Sequence, residues 1–561
     1  MWQKPWPYLL LWTVLNLVQS YYTGLFNDEA HYWMFSQHLA WGYWDHPPMT
    51  PLLVKLGFAL IPNELGVRLF IVLANTATVW LLYDTVRPER IRLFFALLFS
   101  TFLVHIGWMA APDTSLLFFT AAFFWAYKRY APTDSWAWAA LLGFITACMA
   151  YSKYHGALVI LCILVSNPAL FKRPSAYLIP LIAGTALVPH LLWQRAHFWP
   201  TFRYHLIDRG QEAYEWEFLP EYLGGQWLMF GPLVSILLFA AAYKYRHRNV
   251  FERGLKFCLY GILGFFLYKA FRERTEANWT ATAVFPLIYL AYHYIAPRLA
   301  WRTWANRLAV ATLVLAGVFR LYLMWDFLPA GVNPRNEFHH WDAWAADLHA
   351  AAAGRPVVFY NTYKGPSKYQ FYARGEKAHS LNITSHAGNQ YDLLWEEEAA
   401  LQGKEIFNIS TILNSTDTLY MANEQVAQYR IIDDYRSYNR IRIEQLGDTE
   451  LLAAPGDTVQ LRVRMLNPTD AIVDFSAGKR PVRLMGQVYD HELIARENVA
   501  AAMPVPRLAP GEAVELTLPL VIPDHPGRYR YRFAIQVEKL HTGRNANFGE
   551  LWVTDPGGIK S

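Results

Sequence analysis

The segment Phe26-Asn27-Asp28-Glu29-Ala30-His31-Tyr32-Trp33 is followed by Gly42-Tyr43-Trp44-Asp45-His46-Pro47-Pro48, and apolar runs lie on both sides. Asn27 reads as a helix N-cap, with Asp28 and Glu29 in the first turn, where carboxylates suit the helix dipole. Helical spacing places Asp28, His31, Tyr32 and Phe35 on one face. Acids at a helix start are ordinary stabilisers, so the surroundings decide whether these do chemistry. Eleven apolar runs are near spanning length: residues 7–24, 66–86, 92–111, 113–130, 136–152, 154–171, 175–194, 223–243, 254–271, 280–297 and 307–327. Met49–Ile61 is shorter, with Pro51 inside it and Pro62 just beyond. It is expected to re-enter the membrane or lie on its surface.

The composition agrees. Of 561 residues 54% are hydrophobic and 17% charged, and the mean hydropathy is +0.10, which excludes a disordered chain and argues against a single soluble enzyme. Residues 1–327 carry 26 Lys+Arg against 17 Asp+Glu and hold 19 of the 23 Trp; the remainder is net acidic. Alternate loops carry Arg87, Arg90 and Arg92; Lys128 and Arg129; Lys172 and Arg173; Lys244, Arg246 and Arg248; Arg298 and Arg302. Lys4 shares their side, and the positive-inside rule makes that side cytoplasmic. The basic excess thus marks one side of a membrane and is not a nucleic-acid groove. No small-residue cleavage site follows the first run, so it is expected to stay as an anchor. An odd number of spans then puts the back half outside the cytoplasm. Cys148, Cys162 and Cys258 all lie in apolar runs, with no disulfide framework or metal spacing.

The expected architecture is a polytopic α-helical membrane protein over 1–329, an extracytoplasmic α/β module over 330–439 and a β-sandwich over 440–561. Helical periodicity runs over Trp341–Ala352 and a strand over Pro356–Tyr360. Further on the period becomes two, with Val459, Leu461, Val463 and Met465 alternating with polar residues. Later strands are expected at 482–488, 514–521 and 529–537, with Pro455-Gly456, Pro510-Gly511 and Pro526-Gly527 between them. Asn382, Asn408 and Asn414 head Asn-x-Ser/Thr triplets, which matter only in a eukaryotic secretory host.

Further polar residues fall on the side opposite the basic loops. Asp113 opens a run after Pro112. Lys153 and His155 lie between two runs. Gln194, Arg195 and His197 precede Arg203, His205 and Arg209, and Lys269, Arg272, Arg274, Glu276, Asn278 and Trp279 cluster before another run. Ionisable groups at membrane depth are costly and count as site candidates. Taken singly, each cation could merely snorkel to the interface. Cations gathered on the non-cytoplasmic face run against the charge rule, and an anionic lipid headgroup would explain them. No cofactor is expected; the histidines near Asp45 and Lys153 match no metal spacing, and a divalent ion is the lesser alternative.

Asp-Glu-Ala-x-Tyr-Trp, then Gly-Tyr-x-Asp-His-Pro-Pro, resembles the bacterial membrane glycosyltransferases related to protein O-mannosyltransferases, glycosyltransferase family 39, which include the lipid A aminoarabinose transferases. Pro112-Asp113, Ser152-Lys153-Tyr154 and Glu276-Ala277-Asn278-Trp279 agree in order and side. The resemblance implies a C-type membrane fold and transfer of a sugar from a polyprenyl-phosphate carrier to an acceptor on the outer face. It implies Asp28 as the catalytic aspartate, Glu29 as its partner and Asp113 as a second acid. It implies Lys153 as a basic residue at the donor phosphate; from their place on the same face, Arg272 and Arg274 are expected beside it, and His31, Tyr32, Asp45, His46, Glu276, Asn278 and Trp279 at the substrate. The aminoarabinose transferases carry Arg in place of His31 and Glu-Lys in place of Asp45-His46, so the acceptor stays open. Two alternatives are a flippase for a lipid-linked sugar and a receptor-like protein. The first usually shows internal repeats, which are absent here; the second leaves the first-loop acids unexplained.

Overall fold

The computed structural model describes residues 3–208, 215–328, 337–383, 388–410, 417–490, 493–538, 540 and 542–554. The chain forms two compact units, Met1–Trp341 and Asp342–Ser561.

The first unit is helical. Its helices are α1 (Trp6–Tyr22), α2 (Asn27–Gln37), α3 (Met49–Leu60), α4 (Glu64–Val86), α5 (Ile91–Phe99), α6 (Phe102–His105), α7 (Pro112–Tyr130), α8 (Trp136–Ser152), α9 (Gly156–Ser166), α10 (Leu178–Ala196), α11 (Pro200–Arg203), α12 (Phe218–Met229), α13 (Ser235–Lys244), α14 (Val250–Ala270), α15 (Val284–Ile295) and α16 (Leu299–Met324). The expected runs all fall on helical segments, but several are broken. Run 92–111 holds α5 and α6, and run 223–243 holds α12 and α13, parted where Gly231 takes φ +101°. Run 280–297 begins inside the 3-10 turn Ala277–Ala283. Among the described residues three helices are long and apolar enough to cross a membrane unaided: Glu64–Val86, Pro174–Ala196 and Leu299–Met324.

α16 shows how this unit meets its surroundings. Ala305, Ala309, Thr312 and Ala316 pack inward, while Val310, Val314 and Val318 are exposed. Small residues inside and large apolar ones outside is the pattern of a helix solvated by lipid. The basic loops gather at one end. Arg129 pairs with Asp84 at 2.6 Å, Arg173 donates to the Ala131 carbonyl, Arg90 to that of Ala296, and Lys244 lies over Trp301. Asp113 and Arg129 sit at opposite ends of α7, whose 19 residues span about 28 Å, close to the thickness of a hydrocarbon core.

α3 and α4 form a tight hairpin. A Cβ on Gly66 would lie 1.7 Å from the Ile61 carbonyl oxygen, and one on Gly57 would lie 2.2 Å from that of Gly66. Both obstacles are backbone, so neither can swing aside.

The second unit joins both expected modules in one body, and the division falls at Trp341/Asp342; the expected boundary at 329/330 lies outside the described residues. The helix Trp341–Ala352 forms as read. A five-stranded sheet is ordered Ala378–Leu381, Val357–Tyr360, Ile406–Ser410, Val426–Ile432, Thr418–Tyr420, with its first three strands parallel. A sandwich follows. Its larger sheet is ordered Leu493–Ala502, Val482–Asp490, Gly527–Val537, Gly549–Val553, Glu450–Ala453; its smaller one is ordered Ala513–Val521, Thr458–Leu466, Arg442–Gln445. Leu461, Val463 and Met465 point into its core, as the alternation requires. Gly456 and Gly511 take φ +74° and +71° in their Pro-Gly turns, but Gly527 opens a strand instead. Of the three Asn-x-Ser/Thr positions, Asn382 and Asn408 are buried, and Asn414 lies outside the described residues.

Gly66→Ala should destabilise the first unit by roughly 1–3 kcal/mol, the usual range for forced overpacking. The melting temperature of the purified variant in detergent should fall by several degrees; an unchanged value would refute the close approach.

Candidate active site

α2 starts one residue earlier than its sequence suggests. Phe26 is the N-cap and Asn27 the first helical residue, which keeps Asp28 and Glu29 in the first turn. Glu29 is buried, and its two oxygens accept four hydrogen bonds. Oε1 accepts from Arg68 Nε and from the Ala110 amide, both at 2.8 Å; Oε2 accepts from Arg68 Nη2 and from the Phe26 amide at 3.0 Å. Arg68, on α4, is fully buried. Its remaining N–H groups reach the carbonyls of Ser20, Thr23 and Gly24, and its guanidinium lies 4.5 Å from the centre of the Trp108 ring. All five guanidinium donors and all four carboxylate acceptor positions are therefore used. Expected as the catalytic partner of Asp28, Glu29 is thus saturated: it fixes the helix that carries Asp28 and has no lone pair left for a substrate. Asp28 itself is half-buried at the start of that helix.

A second constellation joins three distant stretches. Lys153, just past the end of α8, places its ammonium 2.9 Å from each oxygen of Asp113 at the start of α7. Asn278 donates to Asp113 Oδ2 at 2.8 Å, and the Trp279 ring lies 5.6 Å from the ammonium. Lys153 and Asp113 are 8% and 13% exposed. The next residue after Lys153 extends the set: Tyr154 OH meets His190 Nε2 at 2.7 Å, and its ring stacks on Phe202.

The loop between α2 and α3 is stitched to α10 and the chain after it. His190 Nδ1 contacts the Trp41 carbonyl at 2.6 Å, Thr201 donates to the Tyr43 carbonyl at 2.7 Å, and His205 Nε2 contacts the Asp45 carbonyl at 2.8 Å. This holds Asp45 and His46 together, with His46 Nδ1 3.1 Å from Asp45 Oδ2 and the His46 ring edge-on to Tyr32 and His205. His31 packs against Phe35, and burial lowers its imidazole pKa to about 4, with Asp45 pulling the other way and His46 adding to the fall. His31 is therefore neutral at pH 7. Burial alone would raise the Asp45 carboxyl, but His46, His31 and His205 hold it well below the usual carboxylate range.

The remaining expected residues stand apart. Arg272 and Arg274 are exposed; Arg272 lies over Tyr268, and Arg274 is 3.6 Å from Glu221 and 4.0 Å from Glu276. Arg195 and Arg203 are also exposed; Arg209 lies outside the described residues. Arg68 does not stand out in the sequence, and Tyr154 enters there only within Ser152-Lys153-Tyr154, without a role. A lone arginine near the start of an apolar run was the available signal for Arg68, since a charge there needs a partner.

Residues 45–193 match the family described as dolichyl-phosphate-mannose-protein mannosyltransferase. The chain is 25% identical to the lipid A galacturonosyltransferase RgtD of Rhizobium johnstonii over 338 residues, which is 55% of this chain and 67% of that protein. The resemblance read from the sequence holds. The fold is similar to that of ArnT from Cupriavidus metallidurans in the apo state (TM-score 0.56, 14% identity, 75% of this chain and 98% of that one). It is equally similar to ArnT bound to undecaprenyl phosphate (TM-score 0.54, 14% identity, 75% and 97%). This likeness supports the C-type membrane fold that the resemblance implied.

Breaking a buried ion pair costs roughly 3–5 kcal/mol. Glu29→Gln and Arg68→Lys should each lower the folded yield and melting temperature sharply, because a lysine ammonium has three donors where five are needed. Asp28→Asn should melt like wild type. Normal stability of Glu29→Gln on size exclusion and thermal unfolding would contradict the brace.

Proposed function

We propose that the chain is a membrane glycosyltransferase that moves a sugar from a polyprenyl-phosphate donor to a hydroxyl of an extracytoplasmic lipid, glycan or protein. The observation that carries this reading is the Lys153 ammonium, set among Asp113, Asn278 and the Trp279 ring at the end of the helices remote from the basic loops. Breaking a sugar–phosphate bond develops charge on the phosphate, and a fixed cation in a water-poor site is the means of stabilising it. At rest Asp113 neutralises that cation. When the donor phosphate arrives, Lys153 turns toward it, and Asn278 keeps Asp113 in place. Arg272 and Arg274, exposed on the segment that also carries Asn278, meet the headgroup first.

Asp28 takes the proton of the acceptor hydroxyl as it attacks. Glu29 and Arg68 hold its helix, so the carboxylate does not have to be ordered in each turnover. An in-line attack without a covalent intermediate inverts the anomeric centre. His31, Tyr32, Asp45 and His46 line the acceptor or sugar side. The match to a lipid A galacturonosyltransferase supports a lipid acceptor, and the ArnT complex supports the polyprenyl carrier. The topology proposed with this reading has eleven spans, the basic loops in the cytoplasm and the second unit outside the cell membrane.

Asp28→Asn should lower turnover of a labelled polyprenyl-phosphate sugar by about two to four orders of magnitude with the fold intact; near-normal turnover would sink the assignment. Lys153→Ala should weaken polyprenyl-phosphate binding in detergent by about 10–100-fold, as for a lost charge-assisted contact. Asp113→Asn, which releases Lys153 from its counterion, should bind at least as tightly as wild type. A snorkelling lysine predicts no change in either variant. A reporter active only in the cytoplasm, fused after Ser561, should stay silent, and a signal would overturn the topology.

A further inference from the structure

Arg320 lies on the inward face of α16, one turn from its end, and is 3% exposed. Its Nη2 donates to Asn16 Oδ1 on α1 and to the His105 carbonyl at 3.1 Å, and its guanidinium lies 5.1 Å from the centre of the Trp12 ring. Among the described residues no carboxylate pairs with it. Its Nε and Nη1 have no partner, nor has Asn16 Nδ2. The contrast with Arg68 is direct: that buried arginine spends all five donors and has a carboxylate, whereas this one has neither. A buried cation without a counter-charge is among the costliest arrangements a membrane unit can hold.

We propose that Arg320 and Asn16 form an enclosed binding site for one small monovalent anion of chloride size. The orphan groups of Arg320 and Asn16 themselves are donors, which suits an anion. His105 Nε2 is taken up by the Phe99 carbonyl at 2.5 Å, so its Nδ1 is a lone-pair acceptor and lends the anion no donor. An orphan acceptor, Gln19 Oε1, belongs to an amide that contacts the Arg320 carbonyl and not its guanidinium. Asn16, Gln19, His105 and Arg320 are 0–5% exposed, which suits a small ion. The anion would also reach the catalytic segment. Gln19 bridges the Arg320 carbonyl and Thr23 Oγ1, and the Thr23 carbonyl is one of those gripped by Arg68. An occupied site therefore firms the loop that leads into Asp28.

The test is thermal unfolding of the full chain in detergent, in sodium chloride and in sodium gluconate at equal ionic strength. Wild type should melt about 3 °C or more higher in chloride. Asn16→Asp supplies the negative charge itself and should melt alike in both salts, as should Arg320→Met. Equal melting of wild type in the two salts would overturn the site, as would a chloride effect that survives both substitutions. Should the variants fail to fold, bromide-soaked wild-type crystals decide the same point: an anomalous peak against Arg320 supports it, and no peak there overturns it.

Discussion

The ion pair of Glu29 with Arg68 is the constraint on which the rest of the membrane unit depends. It is completely buried, and such a pair is stable only when every remaining donor and acceptor is satisfied. Here that requirement recruits the end of α1, the cap of α2, the start of α4 and the amide of Ala110. One electrostatic demand thereby fixes the segment entering Asp28 and the one leading to Asp113. Asp28 is left half-buried in the first turn of the helix that this pair fixes.

The two constellations differ in how fully they are bonded. Lys153 is held by Asp113, with Asn278 bonded to the same carboxylate. Glu29 is held by a partner it cannot leave. Both are buried acid–base pairs, yet the first has three participants on three helix ends and the second has every lone pair committed. The two pairs thus differ in saturation more than in burial.

Much of this was legible in the sequence. The apolar runs fall on helices because length and hydropathy are properties of single segments, and the two-residue period gave the sandwich strands for the same reason. The convergence of Asp113, Lys153 and Asn278 was also foreseeable from their common side, though their bonds were not. The bonds that hold Glu29 were not legible. A carboxylate in a first turn looks the same with or without a buried partner, and its partner Arg68 lies 39 residues on. Helix breaks such as Gly231 were missed because hydropathy averages over them. The histidine set around Asp45 needed the chain after α10 to fold back on it, a long-range contact that no local pattern encodes.

The central claim is that a bond between sugar and phosphate is broken at the non-cytoplasmic face. The most direct measurement places purified protein in liposomes with a polyprenyl-phosphate sugar labelled in both the sugar and the lipid, together with lipid A as acceptor. The account predicts free polyprenyl phosphate appearing mole for mole with labelled sugar on the acceptor. Intact donor crossing the bilayer, with neither product formed, would contradict it and identify a flippase.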